Sequence, residues 1–252
     1  MSPDELLARL RPWRERHQRT AYVPQLGAGP SPSRFGGRPD MAEGDEWPTC
    51  AGCERPMLFV FQLDLETSPA DLGTGRIQLF YCPTDDGSCE TWAPFAGANE
   101  ARWSQGPASS RALPGGTEML TERSIVGWES VSEFPHPEEH EWLGLTYHYD
   151  FRANTVRIVC PELGFDESGL DIEACSAELI GLPADRDKLL GWPRFVQGMN
   201  YPGCPRCGEP LTYLFQIDSE VGTDLMFGDV GIGHIMRCEA HPDVLSFAWD
   251  CH

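Results

Sequence analysis

A chain of 252 residues with 40% hydrophobic side chains can bury a sizeable core without cross-links, and its 26 glycines and 22 prolines favour a turn-rich β architecture over a helical bundle. The formal charge of −20 repels a phosphate backbone, which excludes nucleic acid as the main partner and suits a basic polypeptide instead. No stretch approaches the roughly 20 apolar residues that a membrane span requires, so no membrane partner is expected.

Residues 1–20 read as an N-terminal helix. Ser2 is placed to cap it, Pro3 occupies the first helical position, Glu5 completes a capping box, and Leu6, Leu7 and Leu10 recur at helical spacing. Pro12 is expected to end or kink it. The segment lacks the apolar run of a secretory leader, so the expected location is the cytoplasm. Residues 22–39, rich in Gly, Pro and Ser, are expected to be extended.

Ten cysteines in a reducing compartment call for an explanation other than disulfides. Cys50 and Cys53 form a Cys-x-x-Cys pair, followed by Cys82 and Cys89. Cys204 and Cys207 form a second pair, followed by Cys238 and His241, with Cys251 or His252 as alternatives for the fourth ligand. Each set offers four thiolate or imidazole donors from two separated turns, the donor set of a closed tetrahedral zinc site. Two structural zinc ions are therefore expected, each tying together a long loop. Cys160 and Cys175 fit neither set and read as core residues. A redox reading is disfavoured because both pairs precede strand patterns rather than helices.

The same order recurs in both halves. Aligned without gaps, residues 35–64 and 189–218 are identical at ten of thirty positions, including both Cys pairs and the Gly-x-Pro of Gly37–Pro39 and Gly191–Pro193. Strands are predicted over residues 57–61 and 211–215, leading into Phe61-Gln62-Leu63-Asp64 and Phe215-Gln216-Ile217-Asp218. Gln62 and Gln216 either bond backbone across the pseudo-twofold or face a groove. With a two-residue shift, residues 77–82 fall on 233–238. The expected fold is α+β, mainly antiparallel β, with two pseudo-symmetric halves and the N-terminal helix. Its parts are residues 1–20, a first repeat over 35–120, a connecting segment over 121–188 and a second repeat over 189–252, the halves packed as one globular unit. Residues 93–116 carry little pattern. Residues 145–159 read as a hairpin around Arg152–Asn154, and residues 245–249 as a final strand.

His136-Pro137-Glu138-Glu139-His140 matches the inverted zinc-peptidase pattern, which needs both histidines one turn apart on a helix and a Glu to activate metal-bound water. Pro135 and Pro137 suit a loop instead. The segment from Gly228 to Gly233 lacks the Lys-Ser/Thr of a phosphate loop and reads as a bulged turn. Asp64, Asp218 and Asp229 could be acids in a cleft, but no pairing is visible.

At Phe35-Gly36-Gly37-Arg38-Pro39, residues 56–62, residues 77–82, Gly191-Trp192-Pro193 and residues 227–233, the chain resembles the YwqG-like family of bacterial proteins, which is similar in turn to programmed cell death protein 2. The resemblance runs from about Phe35 to the C-terminus. It implies protein binding, in a chaperone-like role toward a ribosomal protein or a toxin-immunity role, and supplies no catalytic residue. The expectation is a non-enzymatic, zinc-stabilised protein that captures a basic or extended polypeptide in a groove between its halves, with Trp47, Phe59, Tyr201 and Tyr213 as candidate anchors. The alternative is a zinc-dependent hydrolase using His136, Glu139 and His140.

Overall fold

The capping residues act as predicted. In the computed structural model, which describes residues 1–84, 87–219 and 221–252, helix α1 (Pro3–His17) opens with the Ser2 hydroxyl accepting from Glu5 N–H at 3.2 Å, while the Glu5 carboxylate accepts from Ser2 N–H at 2.8 Å. Pro12 does not end the helix, which continues to His17. Pro12 and Ala8 are both exposed, so water can take the carbonyl that Pro12 leaves without a helical partner. On the opposite face Leu6, Leu10 and Trp13 are buried, and Trp13 Nε1 donates to Leu143 O at 2.8 Å, pinning the turn that follows the proline.

Strands account for most of the remaining regular structure. The first half carries β1 (Arg19–Gly27), β2 (Arg34–Phe35), β3 (Asp40–Ala42), β4 (Leu58–Asp64), β5 (Arg76–Tyr81), β6 (Asn99–Ser104) and β7 (Ala108–Ser110). Then come β8 (Arg123–Glu133), β9 (Thr146–Asp150), β10 (Thr155–Cys160) and β11 (Phe165–Asp171), and finally β12 (Lys188–Leu190), β13 (Thr212–Asp218), β14 (Ile232–Arg237) and β15 (Leu245–Asp250). The fold is mainly antiparallel β with one N-terminal helix. The predicted hairpin is β9–β10, with Asn154 in the left-handed region, and the predicted last strand is β15. Gly228–Val230 forms a turn leading into β14. The unpatterned residues 93–116 contain β6 and β7, and residues 22–39 begin in β1.

Ten strands form one sheet, in the order β15-β14-β13-β12-β1-β8-β2-β4-β5-β6. β1 and β8 pair antiparallel along their length at its centre, from Arg19 with Glu133 to Gly27 with Ser124. Outward from β1 run β12, β13, β14 and β15; outward from β8 run β2, β4, β5 and β6. The sheet curls until its edge strands β6 and β15 lie side by side, and the Tyr81 ring of β5 meets Phe227 and Phe247 at 5.8 and 6.3 Å. Inside this nearly closed sheet Phe61 lies 4.3 Å from Phe215 and 5.0 Å from Phe35, all fully buried. A separate sheet, β11-β10-β9, packs with α1 around a second core that includes Cys160 and Cys175, both wholly inaccessible.

Buried amides hold the Gly-x-Pro turns against the sheet. Gln62 Oε1 accepts from Asp40 N–H at 3.0 Å and its Nε2 donates to Pro32 O at 2.8 Å. Gln216 does the same with Arg194 N–H at 2.8 Å and Arg186 O at 2.9 Å. Each glutamine thus bonds backbone within its own half rather than across to the other, and both are fully buried rather than facing a groove. The turns place Gly36 and Gly37 at φ 59° and 70°, and Leu190 and Gly191 at 59° and 78°. A Cβ at Gly191 would sit 2.5 Å from Ala21 Cβ, so glycine is required there for close approach as well as for φ.

Candidate metal centres

Each Cys-x-x-Cys pair sits in a tight knuckle just ahead of a sheet strand. In the first, Cys50 N–H donates to Arg55 O at 3.0 Å and Glu54 N–H to Cys50 O at 2.9 Å; Thr49 and Pro56 form a bridge. In the second, Cys204 N–H donates to Glu209 O and Gly208 N–H to Cys204 O, both at 2.8 Å, with Gly203 bridging Pro210. The turn needs a left-handed residue, supplied by Glu54 at φ 58° and Gly208 at φ 79°. From each knuckle the chain enters β4 or β13, and the neighbouring strand, β5 or β14, returns Cys82 or Cys238 to the same end of the sheet.

The structure brings Cys50, Cys53, Cys82 and Cys89 together, and likewise Cys204, Cys207, Cys238 and His241. Within each group one ligand atom per residue lies within 4.8 Å of all the others. The Sγ–Sγ separations are 3.6 Å for Cys50–Cys89, 3.5 Å for Cys53–Cys82 and 3.7 Å for Cys207–Cys238. His241 Nδ1 lies 3.7 Å from Cys204 Sγ and 3.6 Å from Cys238 Sγ. A regular tetrahedron with metal–sulfur bonds of about 2.3 Å has edges of about 3.8 Å, and a sulfur–imidazole edge is about 3.6 Å. These separations far exceed the roughly 2.05 Å of a disulfide, and all ten cysteines are free thiols. The residues present therefore fit a tetrahedral ion in both places, and four protein donors leave no position for a substrate.

Cys251 and His252, the alternatives for the second set, lie elsewhere. Cys251 packs against Gly228 and Gly231, and His252 N–H donates to Asp229 O at 3.3 Å. His241 reaches the cluster because it follows Cys238 in a turn closed by Val244 N–H donating to His241 O at 2.8 Å.

The thiols are unequally acidic. The Thr84 hydroxyl, 3.3 Å from Cys53 Sγ, and the Arg55 N–H draw Cys53 down to about 6. Burial pushes Cys82 up to about 12 and Cys89 upward as well. In the second group burial opposes ionisation of Cys204, but the N–H groups of Arg206 and Cys207 outweigh it and bring the thiol to about 6. A cation entering either cluster would expel protons from the remaining thiols, so binding is favoured by rising pH. Space is tight at the first centre, where a Cβ on Gly52 would stand 3.1 Å from Cys89 Sγ.

His136 and His140 converge on no such cluster among the described residues. Pro137–Glu139 forms a single 3-10 turn, not an α-helical turn. His140 is buried, with Nε2 3.1 Å from Pro135 O, and desolvation lowers it to about 4. The Glu139 carboxylate is occupied by the Tyr201 hydroxyl and the His136 N–H. Asp64 accepts from Thr67 N–H at 3.0 Å. Asp218 is raised to about 6 by burial, its N–H held by Asp187 Oδ1 at 2.9 Å.

Beside the first centre lies a cleft of about 390 Å³. Its walls include Cys82, Thr84 and Trp92 from the distal metal loop, and Asp224, Met226 and Trp249 from the C-terminal part of the chain. Trp92 and Trp249 meet edge to face at 6.3 Å, and Trp92 O accepts from Trp249 N–H at 3.4 Å. Of the predicted anchors, Phe59 is core, Trp47 is half-buried with Nε1 donating to Met57 O, and Tyr201 and the buried Tyr213 line a different pocket. Sequence reading missed Trp92 and Trp249, which carry no pattern marking them as neighbours. No helix of the described residues is long and apolar enough to cross a membrane.

None of the curated proteins compared with the chain matches it. The family described as Domain of unknown function (DUF1963) matches residues 33–240, a span that holds both knuckles, Cys82, Cys89 and Cys238 and stops one residue short of His241. That match covers most of the 252 residues, and the chain belongs to this family.

Proposed function

We propose that the protein is a non-enzymatic polypeptide-binding protein of the cytoplasm, stiffened by two structural zinc ions. Zinc is favoured over other ions by three- and four-thiolate donor sets at tetrahedral spacing, and a closed sphere favours a structural role over catalysis. The reading of capture rests on one observation, the cleft between the first metal loop and the C-terminal strand. There Trp92, 43% exposed, and Met226, 49% exposed, form apolar ground beside Asp224. The charge of −20 would speed encounter with a basic, extended segment more than it would tighten the complex. Chaperone-like and immunity roles share this requirement, and the resemblance to YwqG-like proteins and programmed cell death protein 2 supports both. The matched hydrogen bonds and the sheet order that repeats outward from β1 and β8 support descent of the halves from one duplicated unit.

The test combines metal analysis with capture. The purified chain should carry two zinc ions, one per cluster, and retain a basic partner from host lysate that is lost with Trp92→Ala. Less than about one ion per chain sinks the zinc reading. Capture indifferent to Trp92→Ala and to salt sinks the cleft.

A further inference from the structure

A second pocket, of about 270 Å³, opens beside the second metal knuckle. Arg19, Glu139, Trp142, Trp192, Tyr201 and Tyr213 contribute to its walls. Three features single it out. The guanidinium carbon of Arg19 lies over Trp192, 3.4 Å from the ring centroid, and the residue is exposed. Among the described residues no hydrogen bond or ion pair takes up its donors, whereas the buried cations Arg34 and Lys188 each meet a carboxylate, Asp40 at 2.7 Å and Glu133 at 2.8 Å. Trp142, 68% exposed, stands 6.0 Å from the Tyr201 ring and supplies an uncovered aromatic wall. Glu139, 3% exposed, attracts Arg19 electrostatically but makes no hydrogen bond to it, its carboxylate accepting instead from Tyr201 and His136 and leaving the guanidinium donors open to a second carboxylate.

A planar guanidinium with unclaimed donors, held over a Trp ring, is suited to receive a carboxylate. The surrounding aromatic surface calls for an apolar group joined to that carboxylate. The volume falls below the roughly 300 Å³ at which pockets for drug-sized ligands begin, and suits a single residue. We propose that this pocket takes the C-terminal residue of a polypeptide, with its carboxylate on Arg19 and an aromatic or branched aliphatic side chain against Trp142 and Tyr201. The inference rests on the reading of the protein as a polypeptide binder and adds the chemistry that would fix one end of the bound chain.

The experiment measures fluorescence polarisation of labelled hexapeptides Gly-Ser-Lys-Ser-Lys-X on the full chain, where X is Phe, Leu or Asp, each as the free acid and as the amide. The Phe and Leu acids should bind more tightly than their amides by about tenfold or more, the loss expected for a charge-assisted contact. Arg19→Gln should abolish that preference, Arg19→Lys should restore part of it, and Trp142→Ala should weaken the Phe acid. Arg19 and Trp142 are both exposed, and an unchanged melting temperature would show that the variants fold. Equal binding of acid and amide, or a preference that survives Arg19→Gln, overturns the pocket and leaves polypeptide capture standing if the amides bind and Trp92→Ala releases them. Phenylacetate matching the Phe peptide in competition overturns the chain terminus in favour of a small acid. Failure of every peptide overturns both readings.

Discussion

The two cysteine clusters share one knuckle and differ in what encloses it. At the first, Cys50, Cys82 and Cys89 are buried and Cys53 is half-buried under Thr84. At the second, Cys207 is exposed, a half-buried imidazole replaces a thiol, and the outer contact between its loops is the Arg206–Asp243 pair, about half exposed on both sides and worth little. The same backbone device thus supports a sealed centre in one half and an accessible one in the other. Sealing comes from the longer distal loop of the first half, which carries Cys89 back against Gly52.

The largest effect that would break this comparison is loss of a ligand. Cys50→Ser and Cys204→Ser should each lower the metal content from two ions to one and the melting temperature by about 10 °C or more, since a structural ion contributes several kcal/mol of folding energy. On acidification the second centre should empty first, because its Cys207 is exposed to solvent while three of the four thiols of the first centre are buried. Release followed with a colorimetric chelator should show two steps, assigned by the two variants. A single step would show the centres to be equivalent.

Next in size are the buried glutamines. Gln62→Ala strands the Asp40 N–H and the Pro32 carbonyl, and Gln216→Ala the Arg194 N–H and the Ala184 and Arg186 carbonyls, each at a cost of about 2–4 kcal/mol. Urea melts should give similar losses in both variants. A loss confined to one would show that only that turn depends on its amide.

His234 and Gln78 sharpen the comparison further. Gln78 Nε2 donates to Asp40 O at 3.0 Å, and His234 Nε2 lies 3.2 Å from Arg194 O. Desolvation lowers His234 to about 3. Between that value and about 6.5 the unfolded chain binds a proton that the folded chain refuses, so stability falls as pH falls through this window, by up to about 1.4 kcal/mol per pH unit. His234→Gln should keep the contact and flatten the acid-side slope in pH-dependent melts, with His140, at about 4, contributing a slope of the same sign. An unchanged slope would show that His234 is charged in the folded protein.

The smallest effect lies at the left-handed knuckle residue. Gly208→Ala should destabilise by about 1 kcal/mol, while Glu54→Gly should stabilise by less than that, because relief of the left-handed strain is partly offset by greater freedom in the unfolded chain. Thermal melts of the two variants moving in the same direction would contradict a shared turn.

Much of the fold was legible because its signals are local. The Ser2–Glu5 capping box, the hairpin at Arg152–Asn154 and the strands after each knuckle depend on residues a few positions apart. The central strands were not. β1 contains Pro24 and β8 contains Gly127, neither marking a strand, and both become strands because each supplies the other's backbone partners across about a hundred residues. Pro12 fails to end the helix for the converse reason: a propensity that breaks isolated helices is outweighed when the opposite face is buried.

The sequence by itself determined the two knuckles and the distal partners Cys82, Cys89 and Cys238, since ligand chemistry demands particular residue types and a tight turn keeps them at short spacing. Only the tertiary structure decided that His241, and not Cys251 or His252, completes the second cluster, because the turn after Cys238 sets where the next donor points. It alone placed Lys188 at 0% exposure against Glu133, a residue 55 positions away. It alone brought Trp92 to Trp249 and Arg19 to Trp192. The Trp92–Trp249 contact arises because a long sheet curls until its ends meet, and the other two because β12, β1 and β8 lie side by side at its centre; no short-range pattern in the chain encodes either.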